Sequence, residues 1–287
     1  MGATIADIVK IMNQFAPPWL AEEWDNVGLQ IGDLRWPARS IWTALDPTLE
    51  VVKAACKEDV DLLVTHHPLF FRPIKSIDFQ SPYGSIIKTA VQHRLAIFSA
   101  HTNLDMVRDG VNDVLARRLG LKRIEILQPH KWEQQFKADD DETRHVSPAI
   151  GNEIEHGIGR IGALDKIRSL RSLALIVKEK LNLDFVKIAG NHKLKVSQVA
   201  ICSGSGSSLM KSFLASTAQA YISGDIHYHD ARDAESANRA IIDIGHFASE
   251  HLMVEALAQQ LAKILTEAGI EAAVNACTIE KDPFSIL

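Results

Sequence analysis

The chain has little cysteine, and its cysteines form no recognisable motif. There are three, Cys56, Cys202 and Cys277, and no two of them have CxxC spacing. An odd number without such a pair indicates neither a disulfide framework nor a thiolate zinc site. We therefore expect a protein of the reducing cytoplasm.

Long apolar runs and blocks of basic residues are also missing. No apolar run approaches the length of a membrane span, and a net charge of −5 without a Lys/Arg block argues against a nucleic-acid binder. Residues 1–15 have apolar side chains at helical spacing with Asp7 among them, which favours a first helix over a signal peptide. Position 6 is Ala6, where a myristoylation start requires Ser or Thr. These absences predict a soluble, cytoplasmic protein with neither membrane nor nucleic acid among its partners.

What is present is a repeated α/β pattern. The 287 residues suffice for one large domain or two modest lobes. Both halves alternate apolar strand-like runs, polar loops and amphipathic helices, which predicts two α/β lobes of similar topology, at residues 1–127 and 128–287 of a single domain. Residues 131–152 break the pattern, and we expect a surface loop there with a solvated acidic run. We expect Trp24 to pack in the core or between the lobes.

Two adjacent histidines follow a short apolar run. Residues 62–64 predict a buried parallel strand, and Pro68 ends it just after His66 and His67. The carboxyl ends of parallel strands form the edge at which α/β sheets bind ligands. A histidine pair alone fits either a metal site or a hydrogen-bonded, solvated pair. The residues at the ends of the other predicted strands distinguish between these two interpretations.

Three further predicted strands end in the same types of side chain. The residues concerned are His101 with Asp105, Asp225 with His229, and His246 with Glu250. His246 and Glu250 lie one helical turn apart at the start of a predicted helix, so they share one face. Because the ends of parallel strands converge, the pattern favours a metal site over a chance scatter of histidines.

The types of ligand narrow the choice of metal. Imidazole and carboxylate without thiolate suit zinc, iron or manganese. The strong ligands exceed what a single open catalytic zinc takes, so we expect two divalent metal ions per chain that share a bridging carboxylate. Hydrolysis is the default chemistry of such a pair.

A glycine-rich turn, from Ser203 to Gly206, lies between a predicted strand and a predicted helix. Its backbone N–H groups can bind a phosphate at the helix N-terminus. The turn is short of both the Rossmann and the Walker pattern, however. We favour a plain strand-to-helix turn, with a phosphate site as the alternative.

Six motifs, in order, resemble one known family. They are WDNVGLQIG, THHPLFF, SAHTNLD, GIGRIGAL, YISGDIHYHDA and DIGHFASEH. The chain resembles the Nif-three-like family of dinuclear-metal proteins, also catalogued as GTP cyclohydrolase I type 2 homologues, over nearly its whole length. The resemblance implies two interlinked α/β lobes, a dinuclear metal site in the cleft between them, and a homohexameric ring. Longer members have an extra middle domain, for which this chain is too short.

The resemblance also implies roles for individual residues. The metal ligands that carry over are His66, His67, Asp105, His246 and Glu250, with Glu250 or Asp105 as the bridge between the metals. His101 and His229 fall at motif positions near the cluster and are the candidate catalytic residues, either supporting the ligands or transferring protons. Asp225 is expected to orient a neighbouring ligand.

For function, the family label implies a hydrolase that opens the guanine imidazole ring of GTP and releases formate. The same metals would also serve a phosphoester hydrolase, because fold and cluster name no substrate. The alternative class is a metal-binding regulatory or scaffold protein without cyclohydrolase activity. Chelation distinguishes the classes, because a catalytic pair is removed without unfolding and a structural pair is not.

Overall fold

The computed structural model describes residues 2–130 and 156–285, and the predicted surface loop at 131–152 lies outside the described residues. The helices in these two ranges are α1 (Ile5–Phe15), α2 (Leu49–Lys57), α3 (Pro82–His93), α4 (Thr102–Met106), α5 (Val111–Leu119), α6 (Leu170–Lys180), α7 (Met210–Ala215), α8 (Tyr228–Ser236), α9 (His246–Glu250) and α10 (Leu252–Glu267). The strands are β1 (Gly28–Ile31), β2 (Ser40–Ala44), β3 (Leu62–Thr65), β4 (Ala96–Ser99), β5 (Lys122–Pro129), β6 (Gly157–Ser169), β7 (Lys187–Ala189), β8 (Lys195–Ser205), β9 (Ala220–Gly224), β10 (Ala240–Asp243) and β11 (Ala273–Ala276). None of the helices in the described ranges has the length and apolar character needed to cross a bilayer.

The first sheet has the strand order β1-β4-β3-β2-β11, and only β1 is antiparallel to its neighbour. Its central strand, β3, is buried along its whole length. Because side chains alternate across a strand, Leu62 and Val64 pack with α1 and α10, whereas Leu63 packs on the other face with α2 and α3. The continuous apolar run of β3 therefore reflects burial on both faces, and β2, β3 and β4 all end at one edge.

The second sheet has the strand order β5-β6-β8-β9-β10-β7. The strands β8, β9 and β10 run parallel, and the strands β6 and β7 on either side are antiparallel to them. The edge strand β5 pairs antiparallel with β6. Helices α5 and α6 cover one face, and α7 and α8 cover the other. The first sheet thus has four parallel strands and the second has three, each set covered by helices, as the alternation of strands and helices in the sequence predicts.

The two sheets are interlinked by the chain. After the second sheet, α10 contributes its apolar face to the same core cluster as α1, and β11 pairs in parallel with β2 of the first sheet. The predicted lobe boundary between residues 127 and 128 falls within β5. The first sheet is therefore completed by residues from both halves of the sequence.

A buried ion pair also joins the two halves. Arg160 of β6 donates to both carboxylate oxygens of Asp113 in α5, at 2.7 and 3.0 Å. Its remaining N–H groups donate to the carbonyls of Val107, Gly157 and Gly159, at 2.8 to 2.9 Å. Every guanidinium hydrogen therefore has an acceptor, which is the condition for a buried arginine to be stable.

Candidate metal centre

The carboxyl edges of the two sheets meet at a cluster of histidines and carboxylates. His66 and His67 follow β3, and Glu250 lies on α9, one turn after His246. Glu250 Oε1 is 3.6 Å from Nε2 of His66. Glu250 Oε2 is 3.0 Å from Nε2 of His67 and 3.0 Å from Nε2 of His246. The two oxygens of one carboxylate thus face different histidines, from both sheets.

Asp105 and His101 complete the cluster from the segment after β4. Asp105 Oδ1 is 3.8 Å from Nε2 of His66 and accepts a hydrogen bond from Ser203 Oγ at 3.3 Å. Among the described residues, the ligand atoms of His66, His67 and His101 lie within 4.8 Å of one another, as do those of His67, His246 and Glu250. These groups of side chains can hold a metal ion. The structure brings together the five ligands expected from the resemblance, and it adds His101.

Each imidazole of the cluster is held through its Nδ1 atom. The hydrogen-bond partners are the Ala100 carbonyl for His66 at 3.0 Å, Asp46 for His67 at 2.7 Å, Asp25 for His101 at 2.9 Å and Asp225 for His246 at 2.8 Å. All four partners are acceptors, so Nδ1 carries a proton and Nε2 is the ring nitrogen that faces the cluster. This is the arrangement that orients histidine ligands around metals.

Two of these partners, Asp25 and Asp46, were missed by the sequence analysis. Asp46 follows β2, so the strand-end pattern that singled out His66 applied to it as well. Asp25 lies in the loop before β1, its side chain is fully buried, and it also accepts from the backbone N–H and the hydroxyl of Thr102. Burial opposes the shift, but the hydrogen bonds from His101 and Thr102 lower the pKa of Asp25 to about 2. Asp25 is therefore an ionised acceptor for His101.

Two buried atoms of the cluster lack a hydrogen bond. Among the described residues, His66 Nε2 and Glu250 Oε2 have no hydrogen-bond partner, although Glu250 Oε2 lies close to two imidazoles. Buried polar atoms without a partner are costly and uncommon. A divalent cation bound by imidazole nitrogens and carboxylate oxygens would satisfy both atoms, so the residues fit such an ion.

The electrostatic environment of the cluster favours bound positive charge, as the pKa values of its side chains indicate. Burial would lower the pKa of His67, but the adjacent carboxylates of Asp46 and Glu250 raise it to about 10. Burial would raise the pKa of Glu250, yet His66 and the other imidazoles hold it well below its ordinary value. For Asp105, burial is the main effect and raises the pKa to about 7, with repulsion from Glu250 adding to it. A site that binds protons this strongly also attracts cations.

The glycine-rich segment, predicted as a turn, forms the end of β8 and makes room for Glu250. Gly204 has a φ of +60°, and a Cβ atom there would lie 2.1 Å from Glu250 Oε1. The amide of Gly204 donates to Ser249 Oγ at 2.8 Å, and that of Ser203 donates to Asn112 Oδ1 at 2.9 Å. Two of the amides of this segment are thus used inside the protein, and its first glycine is required by the closeness of the carboxylate.

His229 is the expected site residue that the structure does not bring to the cluster. It lies exposed on α8, and its ring meets Tyr228 edge-on at 5.4 Å. Among the described residues, neither group of potential metal ligands includes it. Asp225, just before α8, does reach the cluster through His246.

Two aromatic rings border His101. Trp24 and Phe71 meet its imidazole edge-on, with centroids 6.0 and 5.6 Å away. Trp24 is 61% exposed and Phe71 is 49% exposed. The expectation that Trp24 packs in the core or between the lobes is therefore wrong, because the loop before β1 directs it outward beside His101.

The sequence matches one protein family over nearly all of its length. The model of the family described as Duf34/NIF3 (NGG1p interacting factor 3) matches residues 3–283. A Clostridium acetobutylicum protein named "GTP cyclohydrolase 1 type 2 homolog" is 30% identical over 284 residues, covering 99% of each chain. A Bacillus subtilis protein of the same name is 26% identical over 365 aligned positions, covering 98% of each chain. That alignment is longer than this chain, in agreement with additional residues in the longer members.

Solved structures share the fold. A Bacillus cereus protein related to NIF3 superposes with a TM-score of 0.89 at 26% identity and covers 100% of both chains. Staphylococcus aureus protein SA1388 superposes with a TM-score of 0.87 at 32% identity over 99% of both chains. Reduced HcgD from Methanocaldococcus jannaschii gives 0.72 at 27% identity over 96% of this chain and 97% of its own.

Proposed function

Because the chain belongs to the Duf34/NIF3 family, we propose that it is a dinuclear-metal-dependent hydrolase. One observation carries the proposal: imidazoles from both sheets are each fixed through Nδ1, with Glu250 lying among their Nε2 atoms. Among the described residues, the buried Nε2 of His66 has no hydrogen-bond partner. A histidine that is oriented through Nδ1 and leaves Nε2 without a partner is arranged as a metal ligand.

We propose that Glu250 is the bridge between two divalent ions. Its Oε1 faces His66, next to Asp105, and its Oε2 faces His67 and His246. The two oxygens therefore face different imidazoles, and His67 belongs to both groups of potential ligands. His101, which the resemblance gave as a catalytic residue, is proposed here as a further ligand because its free nitrogen lies with those of His66 and His67.

A bound pair of zinc, iron or manganese ions supplies Lewis-acid chemistry and lowers the pKa of water. The chain's own contribution is orientation. Asp25, Asp46 and Asp225 accept hydrogen bonds from the Nδ1–H groups of three of the imidazoles. The Nε2 atoms of these imidazoles are therefore held in place before a metal ion binds. His229 has no contact with the cluster in this structure, and a proton-transfer role for it stays a prediction.

We propose GTP as the substrate, with hydrolytic opening of its guanine imidazole ring and release of formate. The names of the relatives motivate this choice. The exposed rings of Trp24 and Phe71 beside His101 support it, because aromatic side chains bind planar bases by stacking. A homohexameric ring stays a proposal as well, and light scattering of the purified protein tests it.

The test begins with the metal content of protein purified without added metal. The metal-loaded form is then incubated with GTP while formate release and pterin fluorescence are followed. Glu250→Gln is compared with Glu255→Gln, which replaces an exposed carboxylate on α10. About two ions per chain, with product formation lost only in Glu250→Gln, would support the proposal.

The other outcomes are informative. Turnover retained in Glu250→Gln would contradict the proposed mechanism. About two ions per chain without product would keep the metal site and discard GTP, and phosphoesters would be the next substrates to test. No turnover of either class would favour the metal-binding regulatory or scaffold protein.

A further inference from the structure

A buried carboxylate outside the metal centre contacts the segment that supports it. Glu280 follows β11, and its side chain is only 4% exposed. Its Oε1 accepts from the backbone N–H groups of Leu45 and Asp46 at 3.0 and 2.8 Å, and its Oε2 accepts from Leu45 at 2.9 Å. Backbone N–H groups that donate to a carboxylate form short, strong hydrogen bonds. Glu280 therefore fixes the two residues that follow β2.

These two residues are the ones that orient His67. The Asp46 carboxylate accepts from His67 Nδ1 at 2.7 Å, and the Leu45 carbonyl accepts from the His67 backbone N–H at 2.9 Å. The Asp46 side chain is itself 43% exposed. Its surroundings alone do not restrict its rotamer, so the direction of its carboxylate depends on the backbone beneath it.

Glu280 also reaches the other side of the cluster. Its Oε2 lies 3.5 Å from Nε2 of His251, the residue that follows the proposed bridging ligand Glu250. The ring of His251 stacks on Phe247 with centroids 4.5 Å apart. One carboxylate thus lies between the loop that orients His67 and the helix that presents Glu250.

The position of Glu280 follows from strand pairing. Ala276 of β11 lies opposite Thr43 of β2, and the backbone N–H of Cys277 donates to the Thr43 carbonyl at 2.8 Å. Since the two strands are parallel, the residues after β11 run beside the residues after β2. The return of the chain to the first sheet therefore delivers Glu280 to the Asp46 loop.

We propose that Glu280 is a positioning residue of the metal centre, which acts on His67 by fixing the backbone of Leu45 and Asp46. The inference rests on the proposed metal site. Among the described residues, neither group of potential metal ligands includes Glu280, so we give it no direct contact with the metal. Groups that orient a metal ligand typically contribute about 10- to 100-fold in metal affinity, and we expect a loss of this size when Glu280 is removed.

The test measures cobalt(II) affinity, by competition with a chelator, and the visible absorption of the bound ion. Glu280→Ala should weaken binding about 10- to 100-fold and change the absorption. Glu280→Gln, which keeps one acceptor oxygen, should restore part of the affinity. The matched control is Asp282→Ala, which removes an exposed carboxylate two residues further on. Thermal unfolding of the metal-free variants shows whether each one folds.

A double variant distinguishes positioning from a general effect on stability. If Glu280 acts through Asp46, then Glu280→Ala combined with Asp46→Asn should bind cobalt no more weakly than Asp46→Asn alone. Additive losses would overturn the inference. The inference would also be overturned if Glu280→Ala bound cobalt with the affinity and absorption of the wild type. If the alanine variant does not fold, the same result for Glu280→Gln would overturn it.

A different set of results is expected if the proposed metal site itself is wrong. If the wild type and Asp282→Ala both bind no cobalt, the proposed metal centre is wrong. If both bind cobalt and Glu280→Ala binds it equally well, only the role of Glu280 is wrong.

Discussion

Replacing Gly204 by alanine should damage the metal centre by displacing one carboxylate. The added Cβ atom would lie 2.1 Å from Glu250 Oε1, so the carboxylate has to move back by about 1.3 Å to reach ordinary contact. Ligand constellations tolerate displacements of only about 0.5 Å. Because Glu250 is the proposed bridge, its movement should weaken both metal sites, by about 10- to 100-fold in affinity.

The matched control is Gly269→Ala. Gly269 has a φ of +68°, close to the +60° of Gly204, and a Cβ atom there would meet no atom within 4 Å. Both variants incur the strain of a left-handed alanine, about 1 to 2 kcal/mol. Only Gly204→Ala adds the collision with Glu250, which we expect to cost a further 1 to 3 kcal/mol or so, in the range of overpacked sites.

The assay combines denaturant unfolding of the metal-free proteins with metal titration of the folded ones. Gly269→Ala should lose stability and keep its metal affinity, whereas Gly204→Ala should lose both. Equal metal affinities in the two variants would refute the steric role of Gly204.

Three further predictions concern stability. Arg160→Met should lower the free energy of unfolding by about 3 to 5 kcal/mol, because it leaves Asp113 buried without its partner; Arg168→Met, which breaks an exposed ion pair, should cost less than about 1 kcal/mol in the same urea titration. A chelator should remove the metals while the far-ultraviolet circular dichroism stays native, and a loss of that signal would mean a structural role for the metals. Burial lowers the pKa of His156 below 6.5 in the folded protein. As the pH falls through 6.5, the unfolded chain therefore binds more protons than the folded one, and the free energy of unfolding decreases. His156→Gln should therefore lose less stability than the wild type between about pH 7 and pH 5, and parallel losses in urea titrations would contradict this.

The strand-end pattern predicted this cluster of histidines and carboxylates because the pattern depends on local sequence. The apolar runs predicted where β3 and β10 end. His66 and His67 follow β3 directly, and His246 follows shortly after β10. Asp25 could not be found in this way. It lies in a loop, and its contact with His101 spans 76 residues without a local signal.

His229 shows the limit of spacing arguments on helices. It follows Asp225 in the sequence much as Glu250 follows His246, yet only Ala234 of α8 is buried, whereas α9 buries Glu250. A polar helix such as α8 leaves its orientation to tertiary packing, which the sequence pattern does not encode. The pairing of β11 with β2 was likewise beyond prediction, because strand partners far apart in sequence are chosen by the assembled fold.

The return of β11 to β2 also sets the order in which the protein can be completed during synthesis. The strands β1 to β4 leave the ribosome early, whereas the hydrogen bond between Asp46 and Glu280 spans 234 residues. Domains begin to fold from the N-terminus as the chain emerges, but the Asp46 loop has no Glu280 to hold it until the residues after β11 have been made. We therefore expect the chain to acquire its full affinity for metal only once Glu280 has emerged, so that shorter nascent chains do not compete for the metal.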